Sequence, residues 1–475
     1  MKENERQERI KLPARASVWY LAVSVITKGV SVLTTPFFTR LLDGEEYGQL
    51  ALYMTLLGGG SVICSAFNSG SALFNGLRKN DSQKEDYLKA TLTVSTASSL
   101  FFCLLLFAFS PFLEINRALL LPLTIQLLCD GTVAVLLGAK KYYYRYKTVA
   151  ALSMITAVLP PLISIIILMS GDFGYSVRIY SLLFVSVLAA LYALIILLRM
   201  RKGEKNNTSQ KLIKEVVKFS SPMLPHSVLT AVTNQADKLI ITAIMGAAAL
   251  GKYSVVFSLG IGLQFIVNAI GSALSPWIIR RLEADEGRRI AELLSPMVLG
   301  YAALGLCLIA AAPEALAILA PPEYYEAFPA LLPIALSTPL FFLSTVTTVG
   351  IVHSGRTSYS LIVSAVSGLS CIILNYTLIG KFGYFGAGLA FLLCQAVGAV
   401  LGITLLLRTE ERDMIDTKGI AISLLISAPF AVLIYMLRES LIWRAIALII
   451  PAVMLLYCLK KAKELVVENT AKSGS

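Results

Sequence analysis

Four groups of polar residues stand inside otherwise apolar runs, and each is of a type that could do chemistry. Lys28 lies mid-run with Thr27, Ser31, Thr34 and Thr35 around it and no acid within one helical turn. Placed on a helix, it is either a cationic ligand for an anionic group or one half of an ion pair with a carboxylate on another segment. Asp130, beside Gln126 and Thr132, is a residue that could titrate or bind a cation, or that could neutralise Lys28. Asn234, Gln235, Asp237 and Lys238 form a third group, in which Asn234 and Lys238 share a helical face at i and i+4 with Asp237 adjoining it. It reads either as a ligand set or as a local polar network. His226 stands between Pro222 and Pro225, where a broken helix start would place a proton carrier or a merely structural imidazole. Asn68 is a softer polar group that either joins helices or lines a path.

What must hold these residues is set by composition. Of 475 residues, 56% are apolar and 15% charged, with mean hydropathy +0.74. A soluble domain would hold about 25% charged residues, and a disordered chain more still. The surroundings of most of this chain are therefore lipid, and an ionised group inside it costs at least about 2.5–3.5 kcal/mol at mid-depth. Fourteen apolar runs are long enough to cross a bilayer as helices: about 16–39, 47–68, 88–112, 118–139, 148–170, 177–198, 217–243, 253–277, 292–312, 328–352, 358–379, 384–407, 419–437 and 441–459. The tenth is interrupted by Pro329, Pro333 and Pro339. The charged opening, MKENERQERIKLPAR, has no short apolar core with a cleavage site behind it, so the first span is expected to be retained. The expected fold is an all-α polytopic membrane protein of about 14 transmembrane helices.

The net charge of +12 has a topological origin. With the N terminus inside, thirty-two Lys and Arg fall in inside segments and seven in outside loops, which orients both termini to the cytoplasm. The same cations offer contact to anionic inner-membrane phospholipid. Neither a zinc-finger spacing nor an interleaved basic and aromatic groove is present, which argues against nucleic acid as a partner. The seven cysteines sit in apolar runs without Cys-x-x-Cys spacing, so no metal or disulfide is expected.

Sliding the chain by 203 residues superimposes 88–112 on 292–312 and 177–198 on 384–407, and sets Gly48 over Gly251. The organisation this suggests is an N-lobe over 1–198, a cytoplasmic linker over 199–216, a second lobe over 217–407, and two further helices with a tail over 408–475. Two six-span lobes enter the membrane in the same direction, as in parallel transporter repeats that rock around a central site. Within the linker region, KLIKEVVKF could form a short amphipathic helix.

TTPFFTRLLDGEEYGQLALY (34–53), closing the first span, and DKLIITAIMGAAALGKYSVVFSLG (237–260), closing the seventh, resemble the polysaccharide transporters of the multidrug/oligosaccharidyl-lipid/polysaccharide flippase superfamily, the Wzx-type flippases of O-antigen and exopolysaccharide repeat units. That resemblance implies a two-lobed, MATE-like bundle in the bacterial inner membrane that carries an undecaprenyl-diphosphate-linked oligosaccharide from the inner to the outer leaflet. The residues read above agree in kind with such a cargo. Lys28 and Ser31 would meet the anionic cargo within the bundle, with Asn68, Asn234 and Lys238 as further lining. Arg78, Arg280 and Arg281, at the cytoplasmic mouths of equivalent spans, would receive the diphosphate or serve as ordinary positive-inside residues. Asp130, Asp237 and His226 would couple or pair. The two last spans would offer a surface to the lipid tail.

Rivals of the same fold are a cation-coupled multidrug antiporter, which Asp130 suits and Lys28 does not, and a flippase of peptidoglycan precursors. An integral-membrane polymerase or ligase of the glycan pathway is the rival of another class. It would need an outer catalytic loop, whereas the longest, PEALAILAPPEYYEA, holds three glutamates and no Lys, Arg or His. Glu323 and Glu326 there read better as part of an interfacial aromatic belt. A transporter, not an enzyme, is expected, without a cofactor. The absence of a nucleotide-binding motif leaves H+ or Na+ coupling, or downstream consumption of the cargo, to drive it. Other glycan-assembly membrane proteins are the partners such a role would bring.

Overall fold

The computed structural model describes residues 2–65, 70–109, 117–171, 173–199, 207–221 and 224–472. They are helical almost throughout and include no strand. The chain divides into two units, Met1–Ala243 and Ile244–Ser475.

Unit 1 holds α1 (Lys2–Leu41), α2 (Gly44–Cys64), α3 (Gly70–Lys79), α4 (Lys84–Phe109), α5 (Leu120–Tyr142), α6 (Tyr146–Leu168), α7 (Ser176–Arg199), α8 (Asn207–Ser220) and most of α9 (Leu224–Met245). Asp43 starts α2 by accepting the Glu46 amide proton at 2.7 Å, which satisfies one of the donors a helix start leaves open. Pro160 and Pro161 lie inside α6, where they leave the Thr156 and Ala157 carbonyls without their usual amide donors, and Ser164 Oγ donates to the Pro160 carbonyl at 2.6 Å.

The amphipathic segment of the linker is present as α8. Leu212 and Val216, one turn apart, are buried with Leu73, Leu77, Tyr87 and Leu88, while Lys211, Lys214 and Lys218 face outward. Glu215 holds the helix to the end of α3 through Lys79 Nζ at 2.9 Å and the Asn80 side-chain amide at 3.4 Å. The Lys79 ammonium keeps this carboxyl below its ordinary 4.5. A carboxylate depressed in the folded state stabilises at pH above the unfolded value and loses that contribution as pH falls through the folded one. Amide exchange in 207–220 should therefore quicken, after intrinsic correction, as the pH drops from about 5 to about 3, with up to about 1 kcal/mol of docking lost because the Lys79 side chain is 63% exposed. Glu215→Gln should flatten that dependence, and an unchanged slope would reject the pair as its source.

Unit 2 holds α10 (Ala247–Glu283), α11 (Gly287–Leu319), α12 (Leu331–Leu336), α13 (Thr338–His353), α14 (Thr357–Leu406), α15 (Thr417–Met436), α16 (Leu441–Ala447) and α17 (Ile449–Lys472). Its core joins α10, α11, α13 and α14 around Val267, Leu294, Tyr301 and Phe342, and a second cluster seats α15 and α17 on α11. The expected tenth span is broken, as its prolines require: a 3-10 segment (Pro322–Ala330) leads into the short α12 and then α13.

Eleven segments among the described residues are long and apolar enough to cross a membrane. One of them is α14, 50 residues with Gly383 at φ 54° inside it. A Cβ on Gly386 would collide with the Leu378 carbonyl. Residues eight apart in a straight helix are separated by about 12 Å, so α14 doubles back at Gly383, and the expected spans 358–379 and 384–407 are its two arms. The expected second span is helical as α2, and the expected seventh is divided, its first residues, 217–220, ending α8 and the rest forming α9 from Leu224; both lie outside the eleven. Gln49 and the run Gly58, Gly59 and Gly60 dilute the first, and Asn234, Gln235, Asp237 and Lys238 interrupt the second.

Candidate functional site

In unit 1, α5 places Gln126 and Asp130 one turn apart, so that both side chains leave the same face. Gln126 is 1% exposed, and its amide nitrogen donates to Asp130 Oδ1 at 3.0 Å and to Ser186 Oγ of α7 at 2.6 Å. The Gln126 amide oxygen has no partner among the described residues. The carboxylate opens on a cavity of about 290 Å³ lined also by Ser61, Cys64 and Ser65 at the end of α2 and by Leu127 and Gly131 of α5. Ser95 and Ser99 of α4 stand behind Gly131, where an added Cβ would lie 3.2 Å and 3.4 Å from their hydroxyls. Carboxylate, amide carbonyl and hydroxyl oxygens are the hard donors that suit a proton or a small cation. Asp130 is thus held by Gln126, which ties it in turn to Ser186 of α7. Thr132 turns back to donate to the Leu128 carbonyl of its own helix.

One to two turns earlier, α2 meets the α9 cluster. Gly58 and Gly59 lie under the Gln235 side chain, with room for a Cβ on Gly58 only 3.0 Å from its amide nitrogen. Lys238 Nζ donates to Gln235 Oε1 at 3.2 Å. Asp237 is 2% exposed, Lys238 is half-buried and Asn234 is exposed. The glycine run of α2 is therefore where a glutamine from α9 can approach the backbone, a pairing that no local spacing announces.

Lys28 and Ser31 both project from the exposed side of α1. The hydroxyls near them are largely engaged by the helix itself: Thr27 donates to Ser24, Thr34 to Val30 and the buried Thr35 to Ser31 carbonyls at 3.1, 2.8 and 2.9 Å. Asn68 lies outside the described residues, and His226 lies in the first turn of α9 with its side chain outside them. Arg78 is exposed at the end of α3, and Arg280 at the end of α10. Arg281 is engaged differently from its neighbour, ion-paired to Glu286 and stacked 5.6 Å over the Trp277 ring.

Two polar features of unit 2 were not legible as sites. Arg444, within the expected span 441–459, is 5% exposed and binds both oxygens of Glu314 at 2.5 and 2.6 Å and the Ala310 carbonyl at 2.6 Å. His353 Nδ1 lies 2.8 Å from Glu411, tying α13 to the turn at 410–414. Each pair spans a long stretch of sequence, so neither leaves a local signal.

Residues 14–281 match the model of a family described as polysaccharide biosynthesis protein. The succinoglycan biosynthesis transport protein ExoT of Rhizobium meliloti (strain 1021) is 26% identical over 292 residues, 59% of this chain and 56% of that protein. This alignment spans little more than half of the relative's length. Among solved structures, the lipid II flippase MurJ in an inward closed conformation superimposes with a TM-score of 0.66 at 14% identity, covering 94% of this chain and 99% of that one. An inward-facing multidrug resistance MATE family transporter of the MOP superfamily gives 0.54 at 13% identity, covering 80% and 94%. At such identities these structures establish a shared all-α, multi-span membrane fold.

Proposed function

Because the chain belongs to the polysaccharide biosynthesis protein family, we propose that it is a flippase that carries an undecaprenyl-diphosphate-linked oligosaccharide repeat unit across the bacterial inner membrane by alternating access. The cargo would be an O-antigen, exopolysaccharide or teichoic-acid-like unit, and both termini would lie in the cytoplasm. The observation that carries the reading is the family match over 14–281, supported by a relative whose name makes it a transport protein of polysaccharide synthesis. The chemistry fits in kind. A diphosphate needs cations along its way, and Lys28, Arg78 and Arg280 are exposed cations on three helices. Asn234 and Lys238 are further cargo contacts in this reading, while Asp130 is the coupling group for H+ or Na+ and Asp237 and His226 its auxiliaries.

The test is leaflet assignment of a labelled lipid-diphosphate oligosaccharide in proteoliposomes. Wild type should move the lipid between leaflets. Lys28→Ala, which deletes a charged contact of about 1.5–3 kcal/mol, should move it roughly tenfold or more slowly while folding normally. Extrusion of organic cations under an imposed gradient, with the lipid left in place, would instead establish a drug antiporter of the same fold.

A further inference from the structure

The segment Pro322–Ala330 is built to hold its outward side chains still. Pro321, Pro322 and Pro329 restrict its backbone, and Tyr324, Ala327 and Ala330 are fully buried beneath it. Tyr325 and Glu326 are consequently displayed from a rigid support, with Tyr325 39% exposed. Lys252, at the start of α10, holds Glu326 Oε2 at 2.8 Å. Across from them the turn after α15 presents Arg438, its guanidinium 5.0 Å from the Tyr435 ring, while Tyr435 in turn stacks on Phe328 at 5.7 Å. Together Tyr325, Glu326, Phe328, Arg438 and Glu439 border a pocket of about 400 Å³, within the roughly 300–1,000 Å³ of small-molecule sites. The pocket lies at the Lys252 end of α10, opposite the end that carries Arg280 and Arg281.

An aromatic belt facing lipid does not need two carboxylates and a guanidinium converging on the same hollow. Aromatic faces beside fixed charged donors and acceptors match a saccharide, whose C–H faces stack on rings and whose hydroxyls both donate and accept. Because the segment is already ordered, little conformational entropy is lost when a ligand enters. We propose that this pocket is a saccharide-binding subsite that holds the glycan of the cargo on the side of the membrane where it is delivered. The choice of a saccharide from the cargo rests on the flippase reading.

The probe is the lipid-free oligosaccharide released by mild acid from the host's own lipid-linked intermediate, titrated calorimetrically into the detergent-purified full chain. Wild type should bind it, and Tyr325→Ala and Arg438→Ala should each weaken binding roughly tenfold or more, with Tyr325→Phe retaining it. All of these positions are at the surface, and unchanged thermal unfolding will show that the variants fold. No binding to wild type, equal binding to all variants, or binding of dihexanoyl phosphatidylcholine in place of the glycan overturns the subsite. The leaflet assay separates the two ideas. Wild type that moves the lipid while glycan binding ignores Tyr325 and Arg438 leaves the flippase standing without the subsite. Wild type that binds glycan through those residues but moves no lipid leaves the subsite and removes the flippase.

Discussion

Asp130→Asn should give a protein that is folded and at least as stable as wild type, yet slower on the order of a hundredfold in gradient-driven movement of its cargo. The argument joins a cost to a geometry. Keeping a carboxylate at mid-depth costs about 2.5–3.5 kcal/mol, and nothing in the packing of α5 against α4 and α7 calls for that charge, since Gln126 already reaches Ser186. Asparagine preserves an oxygen for the Gln126 amide and removes only the ionisable function. Relief of the insertion cost should hold or raise the unfolding temperature, while the same free energy, if it is what drives coupling, corresponds to a rate factor near a hundred. Measuring the rate with and without an imposed proton or sodium gradient, beside thermal unfolding, decides the matter. Undiminished gradient-driven transport by Asp130→Asn would reduce Asp130 to a structural polar group.

The second large effect concerns stability and is asymmetric. Glu314→Ala strips the carboxylate from a guanidinium whose side chain is 6% exposed and whose Nε already lacks a partner among the described residues. Breaking a buried pair in this way costs about 3–5 kcal/mol. Arg444→Met, in contrast, leaves behind a Glu314 side chain that is 50% exposed and can hydrate, while methionine fills part of the vacated space. Its cost should stay near 1 kcal/mol, the size of an exposed pair. Thermal unfolding in detergent should therefore drop by several degrees more for Glu314→Ala than for Arg444→Met. Equal drops would mean that Arg444 serves by its bulk and not by its charge.

The parts of the fold that sequence reveals are those governed by period and length. The long apolar runs, the broken tenth span and the amphipathic helix at 207–220 depend on residues within one or two turns of one another, and each is present. The extent of α10 and α11, 37 and 33 residues against expected spans of about 25 and 21, was not visible because polar residues past the membrane boundary continue a helix at no loss of backbone bonding. For the site, the spacing of Gln126 and Asp130 was readable, being local. Ser186, 60 residues away from Gln126, and Gly58 under Gln235 were not, since only packing brings them there. Likewise Glu323 and Glu326 looked equivalent in sequence, whereas Lys252, 74 residues earlier, distinguishes Glu326.

The reversal at Gly383 bears on how the protein is made. Its two arms share no loop that could wait in water while one arm enters the bilayer alone. Asn375, fully buried in the first arm, donates its amide to the Cys371 carbonyl of its own helix, and its amide oxygen has no partner among the described residues, so it is packing within the folded bundle that keeps this amide away from lipid. A reversal this tight favours entry of the two arms into the bilayer together, as a hairpin, over entry of one arm after the other.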